Sequence, residues 1–177
     1  MGCRRQNPRA QEALYELLAG RMMSVSRRYS PSREEAEEVL QAAFVRVFRR
    51  LDQYRGEGSF EGWVKRIVIR TALSSWRQRQ VREAGQTDSW EQIAEPVSKH
   101  PSGYEALAAR DVLDLLDTLP PGYRMVINLY AIEGYSHGEI AEMLGISEGT
   151  SKSQLARGRA LLEKRLSHTS TLPAARP

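Results

Sequence analysis

The stretch from residue 134 to residue 165 constrains the fold more than any other part of the chain. Ser136, followed three residues later by Glu139, forms a capping box that predicts the start of a helix, and Gly145 predicts its end. Ser147 then offers a second N-cap, and an uninterrupted helical run follows it. Two capped helices joined by so short a turn predict a helix-turn-helix.

The second of these helices has an inward and an outward side. Residues at intervals of four, three and four share the inward side: Ser151, Leu155, Gly158 and Leu162. Small, polar and basic residues point away from it: Ser153, Ala156, Arg157 and Lys164. Such an outer face suits a major groove, because donors reach base edges and cations reach phosphates. A DNA-binding helix-turn-helix is the interpretation, and an ordinary helix pair with solvated cations is the alternative.

The charge of the chain is distributed in blocks. Its 177 residues carry 26 Lys and Arg against 22 Asp and Glu, with room for one large or two small domains. Residues 1–82 hold 17 basic against 9 acidic residues, whereas residues 83–118 hold 2 against 8. The basic excess suits a polyanionic partner.

The number of cysteines and the length of the apolar runs indicate the location of the protein in the cell. Cys3 is the single cysteine, which excludes an intramolecular disulfide and favours a reducing, cytoplasmic location. No apolar run approaches the ~20 residues that span a bilayer. We therefore expect neither membrane insertion nor a signal peptide.

The first 82 residues predict a helical domain with a basic, aromatic surface. Asn7, Ser32 and Ser59 are expected N-caps, each opening a helix with apolar spacing. The loop before Ser59 and the helix after it bring rings and cations together: Tyr54, Phe60, Trp63, Arg66, Arg70 and Arg77. Cations for phosphates beside rings for unstacked bases favour single-strand binding. Phe60 and Trp63 taken singly are expected to be core residues, since large aromatic side chains go where area can be buried, and Tyr54 is the expected base-stacking ring.

Periodicity then lapses and returns. Residues 83–105 are acidic and punctuated by Gly and Pro, which predicts a flexible linker. Helices are expected again over residues 108–118 and 123–133, within a second domain of residues 106–167. Residues 168–177 are expected to be a disordered tail. The predicted fold is all-α, with two small helical domains joined by an acidic linker.

The C-terminal stretch GYSHGEIAEMLGISEGTSKSQLARGRALL resembles the second DNA-binding domain of extracytoplasmic-function (ECF) sigma factors. The resemblance implies contacts with an upstream (−35) duplex element from Thr150, Lys152, Ser153, Gln154, Ala156, Arg157 and Arg159. Gln154 stands where the family often has Arg, which would favour adenine over guanine. Ser151 replaces a usual apolar residue, and Gly158 replaces a usual Ala.

The stretch AEEVLQAAFVRVFRRLDQYRGEGSFEGWVKRIVIRTALSSWRQRQ is similar to the first conserved domain of the same sigma factors. The resemblance implies capture of a melted −10 element by Tyr54, Arg55, Ser59, Phe60, Trp63, Arg66, Arg70, Thr71 and Arg77. It also implies docking on polymerase through Glu37, Glu38, Val39, Gln41, Phe44 and Val45. Ala42, Arg70 and Ser74 depart from the usual Glu, Asn and Asp.

The function that this resemblance implies is a promoter-specificity subunit of bacterial RNA polymerase, without catalysis, cofactor or metal. Its implied partners are promoter DNA, the β′ clamp coiled coil and β flap of core polymerase, and an anti-sigma factor. We expect a monomer when the protein is free.

Three other functional classes compete with this one, and one of them is a pure protein-interaction module, which dispensable basic residues would support. An enzyme is disfavoured because His100, His137 and His168 lack metal-ligand spacing and no phosphate-binding loop or nucleophile motif occurs. A dimeric regulator would share the helix-turn-helix and bind palindromic duplex DNA. The basic, aromatic surface near Tyr54 speaks against it, since a dimer surface should be apolar.

Overall fold

The computed structural model describes residues 7–84 and 115–169, and every element within them is helical. This confirms the all-α fold. The chain divides into two compact units between Thr87 and Asp88. Most of the predicted linker, most of the helix expected over residues 108–118, and residues 170–177 of the predicted tail lie outside the described residues.

The first unit is built from α1 (Pro8–Tyr29), α2 (Arg33–Arg49) and α3 (Phe60–Ala84), with a 3-10 turn at Leu51–Gln53. These three helices pack against one another. The helix α3 continues into the predicted linker and ends at Ala84.

Local capping starts each helix of the first unit where the sequence predicted. The side chains of Asn7, Ser32 and Ser59 accept hydrogen bonds from the backbone N–H three residues later, at 3.2–3.3 Å. The carboxylate of Glu35, three residues after Ser32, pairs with Arg79 of α3. This ion pair ties the start of α2 to the far end of α3.

Apolar side chains from all three helices fill the core of the first unit. The inward side predicted for α2 is buried: Ala36, Leu40, Ala43, Phe44 and Val47. It meets Leu18, Met22, Val25 and Tyr29 of α1 and Val64, Val68, Ile69, Ala72, Leu73 and Trp76 of α3. Burying each large apolar side chain contributes about 1.5–3 kcal/mol, so this packing fixes the helices that carry the surface site.

The second unit contains α4 (Pro121–Ile127), a π-helical segment (Asn128–Ile132), α5 (His137–Leu144) and α6 (Glu148–Thr169). Both α4 and α5 pack against α6. The α-helix predicted over residues 123–133 differs from the observed structure in two ways. The observed helix begins earlier, because Pro121 fits the first helical position, and its second half is π-helical, with the Glu133 N–H donating to the Asn128 carbonyl at 3.0 Å.

The helix-turn-helix follows the predicted chemistry. The Ser136 N–H and hydroxyl donate to the Glu139 carboxylate, both at 2.8 Å, while the Glu139 N–H donates back to the Ser136 hydroxyl. Gly145 ends α5 in the left-handed region, with φ +71°, where a side chain would be strained. The Ser147 hydroxyl accepts from the Thr150 N–H at 3.0 Å and caps α6. These three features fix the angle at which α6 leaves the turn.

Candidate nucleic-acid interface

A basic cleft of about 260 Å³ opens on the first unit between α2 and α3. Four arginines line it, two from each side: Arg46, Arg50, Arg66 and Arg70. Each pair is four residues apart, so the two members lie one above the other on the same helical face. No carboxylate lines this cleft, whose remaining walls are Gln53, Trp63, Ile67 and Thr71. The cleft is therefore an anion-attracting surface.

A hydrogen bond holds the Arg46 side chain in place on one side of this cleft. Its Nη1 donates to the Thr71 hydroxyl at 3.1 Å, and that hydroxyl donates to the Ile67 carbonyl at 2.7 Å. Thr71 is buried, at 4% exposed. Its hydroxyl is engaged within the protein, where it positions Arg46, while Thr71 also lines the cleft, so its expected contact with melted DNA stays a prediction.

An aromatic cluster borders the cleft. The ring of Tyr54 lies 5.1 Å from that of Phe60 and 5.6 Å from that of Trp63, and Phe60 and Trp63 stack at 5.7 Å. The Tyr54 hydroxyl donates to the Gly58 carbonyl at 2.8 Å, which closes the loop. All three rings are half-buried, so Phe60 and Trp63 are not core residues. Their accessible faces remain able to contact an unstacked base.

The other predicted residues of this surface occupy simpler positions. Ser59 is the exposed cap of α3, and Arg55 is exposed in the loop before it. Arg77 is exposed on α3, where it shares a shallow groove with Ser74 and Arg82. From Gly62 to Arg82 the sequence of α3 contains no Asp or Glu. The basic character of the cleft thus continues along the helix.

The residues predicted to bind polymerase divide into two groups. Glu38, Gln41 and Val45 are exposed on α2, and Glu37 is half-buried and pairs with Arg33 at 2.9 Å. Val39 and Phe44 are only 5% and 2% exposed. Their side chains belong to the helical core, so the accessible part of this surface is the first group, and the role of Val39 and Phe44 in docking stays a prediction.

The outer face of α6 is largely as predicted. Ser153, Ala156, Arg157 and Arg159 are exposed, as is Lys152, which lies 3.4 Å from Glu148. The Ser153 hydroxyl donates to the Thr150 carbonyl at 3.0 Å. Thr150 itself is half-buried, and its hydroxyl lies 2.9 Å from that of Ser147. Exposed cations and small side chains thus alternate along one side of α6.

Gln154 does not lie on that face. It is 8% exposed, and its side-chain amide packs over Gly122 at the start of α4, with 3.5 Å from each amide heteroatom to the position of a Cβ on that glycine. Its Oε1 is buried without a hydrogen-bond partner. The rotation of α6 turns Gln154 into the domain and away from the exposed face, and its expected base contact stays a prediction.

The capping hydrogen bonds at the start of α5 change the pKa of one of the residues that form them. Hydrogen bonds from the backbone N–H and then the hydroxyl of Ser136 lower the pKa of the Glu139 carboxyl from its ordinary value. The N-terminal groups of α5 are thus neutralised from within the chain and do not need an external anion.

Sequence reasoning missed several residues that the fold brings to these surfaces. Arg46 and Arg50 are not among the residues predicted for this surface, yet they line one side of the cleft. Their spacing of four residues, matching that of Arg66 and Arg70, is the signal that could have identified them. Tyr130 and His137 of the second unit also contact α6, and no sequence motif marked that cluster.

A helical unit with a basic cleft and a second unit with a capped helix-turn-helix define a class of all-α proteins with nucleic-acid-binding surfaces. Comparison with known families agrees with this description. Residues 14–82 match Sigma-70 region 2, and residues 109–162 match Sigma-70, region 4.

Individual relatives point the same way. The ECF RNA polymerase sigma factor SigE of Mycolicibacterium smegmatis is 33% identical over 155 residues, which cover 86% of this chain and 60% of that protein. The ECF RNA polymerase sigma-E factor of Escherichia coli K12 is 30% identical over 156 residues, covering 82% of this chain and 81% of that protein. The chain belongs to the ECF group of the sigma-70 family of RNA polymerase sigma factors.

A solved structure supports the fold. The sigma factor RpoE of Bartonella quintana, in complex with the anti-sigma factor NepR, aligns with a TM-score of 0.57 at 22% identity. The alignment covers 88% of this chain and 96% of that one. Among residues 7–84 and 115–169, no helix combines the length and apolarity needed to cross a membrane.

Proposed function

We propose that this chain is a dissociable promoter-specificity subunit that binds core RNA polymerase and directs transcription initiation. In this proposal the first unit captures melted −10 bases, and the second binds the −35 duplex. The chain catalyses nothing itself, and it acts in the cytoplasm, where polymerase meets the chromosome. The observation that carries the proposal is the cleft with four arginines beside three half-buried rings.

That cleft supports single-strand binding better than duplex binding. Its arginines can follow a phosphate backbone, while the accessible faces of Phe60 and Trp63 offer stacking worth about 1–3 kcal/mol per base. Bases in a duplex are already stacked and cannot reach such rings. The site therefore favours DNA that has been melted. Arg70, where the family usually has Asn, adds a cation to the wall that would face the captured bases.

The second unit supports duplex binding through α6. With Gln154 inside the domain, the exposed contacts along the helix are Lys152, Ser153, Ala156, Arg157 and Arg159. Three of these five are cations, so phosphate contacts would dominate its affinity and make it depend steeply on salt. Tethering two weak sites in one chain raises affinity through effective concentration, so neither unit needs to bind tightly alone.

Docking on polymerase is proposed for the exposed side of α2. Glu38, Gln41 and Val45 form an accessible strip with the half-buried Glu37, suited to the β′ clamp coiled coil. Ala42 is also exposed there, and it lacks the carboxylate that the family usually has. The second unit would contact the β flap.

An anti-sigma factor is the further partner that we propose. The solved relative from Bartonella quintana is held by one, and its fold is shared with this chain. Such a partner would keep the free, monomeric chain from polymerase until a signal releases it.

The experiment that tests the function combines co-purification with transcription. The chain is mixed with core RNA polymerase, separated by gel filtration, and the complex is used to transcribe a randomised promoter library. We expect a stable complex and transcripts that share two promoter elements. Failure to bind polymerase, together with selection of a palindromic duplex, would instead support a dimeric regulator.

A further inference from the structure

Tyr130 lies on the π-helical segment and projects to the surface of the second unit, where it is 37% exposed. Its ring stacks on the imidazole of His137, with 4.6 Å between centroids and 20° between planes. A π-helical turn changes the direction of the side chains that follow it, and such turns often occur at functional positions. The π segment therefore presents Tyr130 to the first residue of α5.

His137 is in turn anchored to α6. Its Nδ1 lies 2.9 Å from the hydroxyl of Ser151, a residue that is 0% exposed. Ser151 stands where the family usually has an apolar residue, so this polar pair replaces an ordinary core contact. A hydrogen bond has a defined geometry, and this part-buried one fixes the plane of the imidazole on which Tyr130 rests.

The same tyrosine also contacts α6 at a second point. The Arg159 guanidinium lies over the Tyr130 ring, with Cζ 5.8 Å from its centroid. Ser151 and Arg159 are eight residues apart on α6, or about two helical turns. Tyr130 and His137 together therefore contact α6 at two levels on the same helical side.

We propose that Tyr130, supported by His137, is a positioning residue for DNA binding, which holds Arg159 in place to contact a backbone phosphate. The inference rests on the proposed duplex-binding role of the second unit. A guanidinium over a ring keeps its N–H donors at the edge, where a phosphate can accept them. Ordering the long Arg side chain before binding lowers the entropic cost of the contact.

A double-mutant cycle tests this coupling in the full chain. The probe is a fluorescent duplex pool of mixed sequence, and its Kd is measured by anisotropy over a series of NaCl concentrations. The variants are Tyr130→Leu, Tyr130→Phe, Arg159→Ala, and the double variant Tyr130→Leu/Arg159→Ala. Leucine removes the aromatic face of residue 130 but keeps its apolar bulk, whereas phenylalanine keeps the ring.

We expect Tyr130→Leu to raise the Kd roughly two- to fivefold, as for loss of an exposed cation–π contact. Tyr130→Phe should keep most of the affinity. In the Arg159→Ala background, Tyr130→Leu should add no further loss, because the side chain that it positions is already absent. Arg159→Ala should also reduce the slope of log K against log salt by about 0.9, the value of one phosphate contact.

Arg66 provides the matched control, because it lies in the cleft of the first unit. Tyr130→Leu and Arg66→Ala should combine additively. An additive result with Arg159→Ala, or equal losses for Tyr130→Phe and Tyr130→Leu, would overturn the positioning role. If the wild-type chain failed to bind duplex DNA at any salt, the proposed function of the second unit would fail instead, and the two failures are distinguishable.

Discussion

Replacing Gly158 by alanine sets two measurable effects against each other. Gly158 is buried on α6 where that helix meets α4, and an added Cβ would lie 2.7 Å from Ile127 Cδ1 and 3.2 Å from Tyr123 Cβ. Alanine gains about 1 kcal/mol of helix propensity over glycine. Inserting a methyl group into a packed interior costs about 1–3 kcal/mol. We therefore expect Gly158→Ala to destabilise the second unit by about 1 kcal/mol.

The conflict with Ile127 can be relieved by a second substitution. Ile127→Val removes Cδ1, the atom at 2.7 Å, and by itself should cost about 0.5–1.5 kcal/mol. In the double variant we expect the two losses to be less than additive by about 1 kcal/mol, because the shortened side chain makes room for the new methyl group.

Hydrogen exchange is the suitable assay, because protection of α4 and α6 amides reports the second unit separately from the first. Gly20→Ala is the matched control, since an added Cβ on this exposed glycine of α1 meets nothing within 4 Å. It should stabilise α1 through propensity alone. The packing argument would be refuted if Gly158→Ala increased protection as Gly20→Ala does, or if the double variant were strictly additive.

Three further substitutions test how individual side chains are engaged within the protein. Gln154→Leu should leave the base preference in a duplex selection unchanged. It should stabilise the second unit or leave its stability unaltered, because it removes a buried carbonyl that has no hydrogen-bond partner. A changed base preference would contradict the burial of Gln154. Because the pKa of the Glu139 carboxyl is lowered, the stability that its ionised form gives to the fold is complete above the ordinary value of 4.5 and is lost as the pH falls through the folded value. Glu139→Gln should therefore reduce the loss of α5 amide protection at acid pH. An unchanged dependence of protection on pH would contradict the capping assignment. Thr71→Val should weaken single-strand binding in the wild type but not in an Arg46→Ala background, whereas equal losses in both backgrounds would indicate a direct DNA contact.

Helix starts were predictable because their causes are local. Asn7, Ser59, Ser136 and Ser147 each cap a helix through a backbone N–H three residues away, so the few residues around each cap contain the whole signal. Gly145 ends α5 for an equally local reason, its positive φ. The all-α fold and the helix-turn-helix followed from such features.

The remaining details depend on packing between elements. Gln154 lies three residues after Ser151 and four before Gly158, so helical spacing already placed it near the inward side of α6, while the family resemblance placed it at a base. In the structure its side chain packs on Gly122 of α4. For α2, periodicity had placed Phe44 inside while family resemblance placed it at an interface, and the core contacts decide for burial. No pattern in the sequence marks the π segment at Asn128–Ile132, which differs from an α-helix in bonding the backbone five residues apart instead of four.

The proposed roles of the two units, melted DNA for the first and duplex DNA for the second, are tested most directly by comparing the affinity of the chain for single-stranded and duplex DNA. The full chain is titrated against mixed-sequence pools of each, as wild type, as Arg66→Ala/Arg70→Ala and as Arg157→Ala. We expect the cleft variant to lose about tenfold in single-strand affinity while keeping most of its duplex affinity, and Arg157→Ala to do the reverse with a smaller salt slope. Equal losses on both pools for both variants would contradict the assignment of melted DNA to the cleft and duplex DNA to α6.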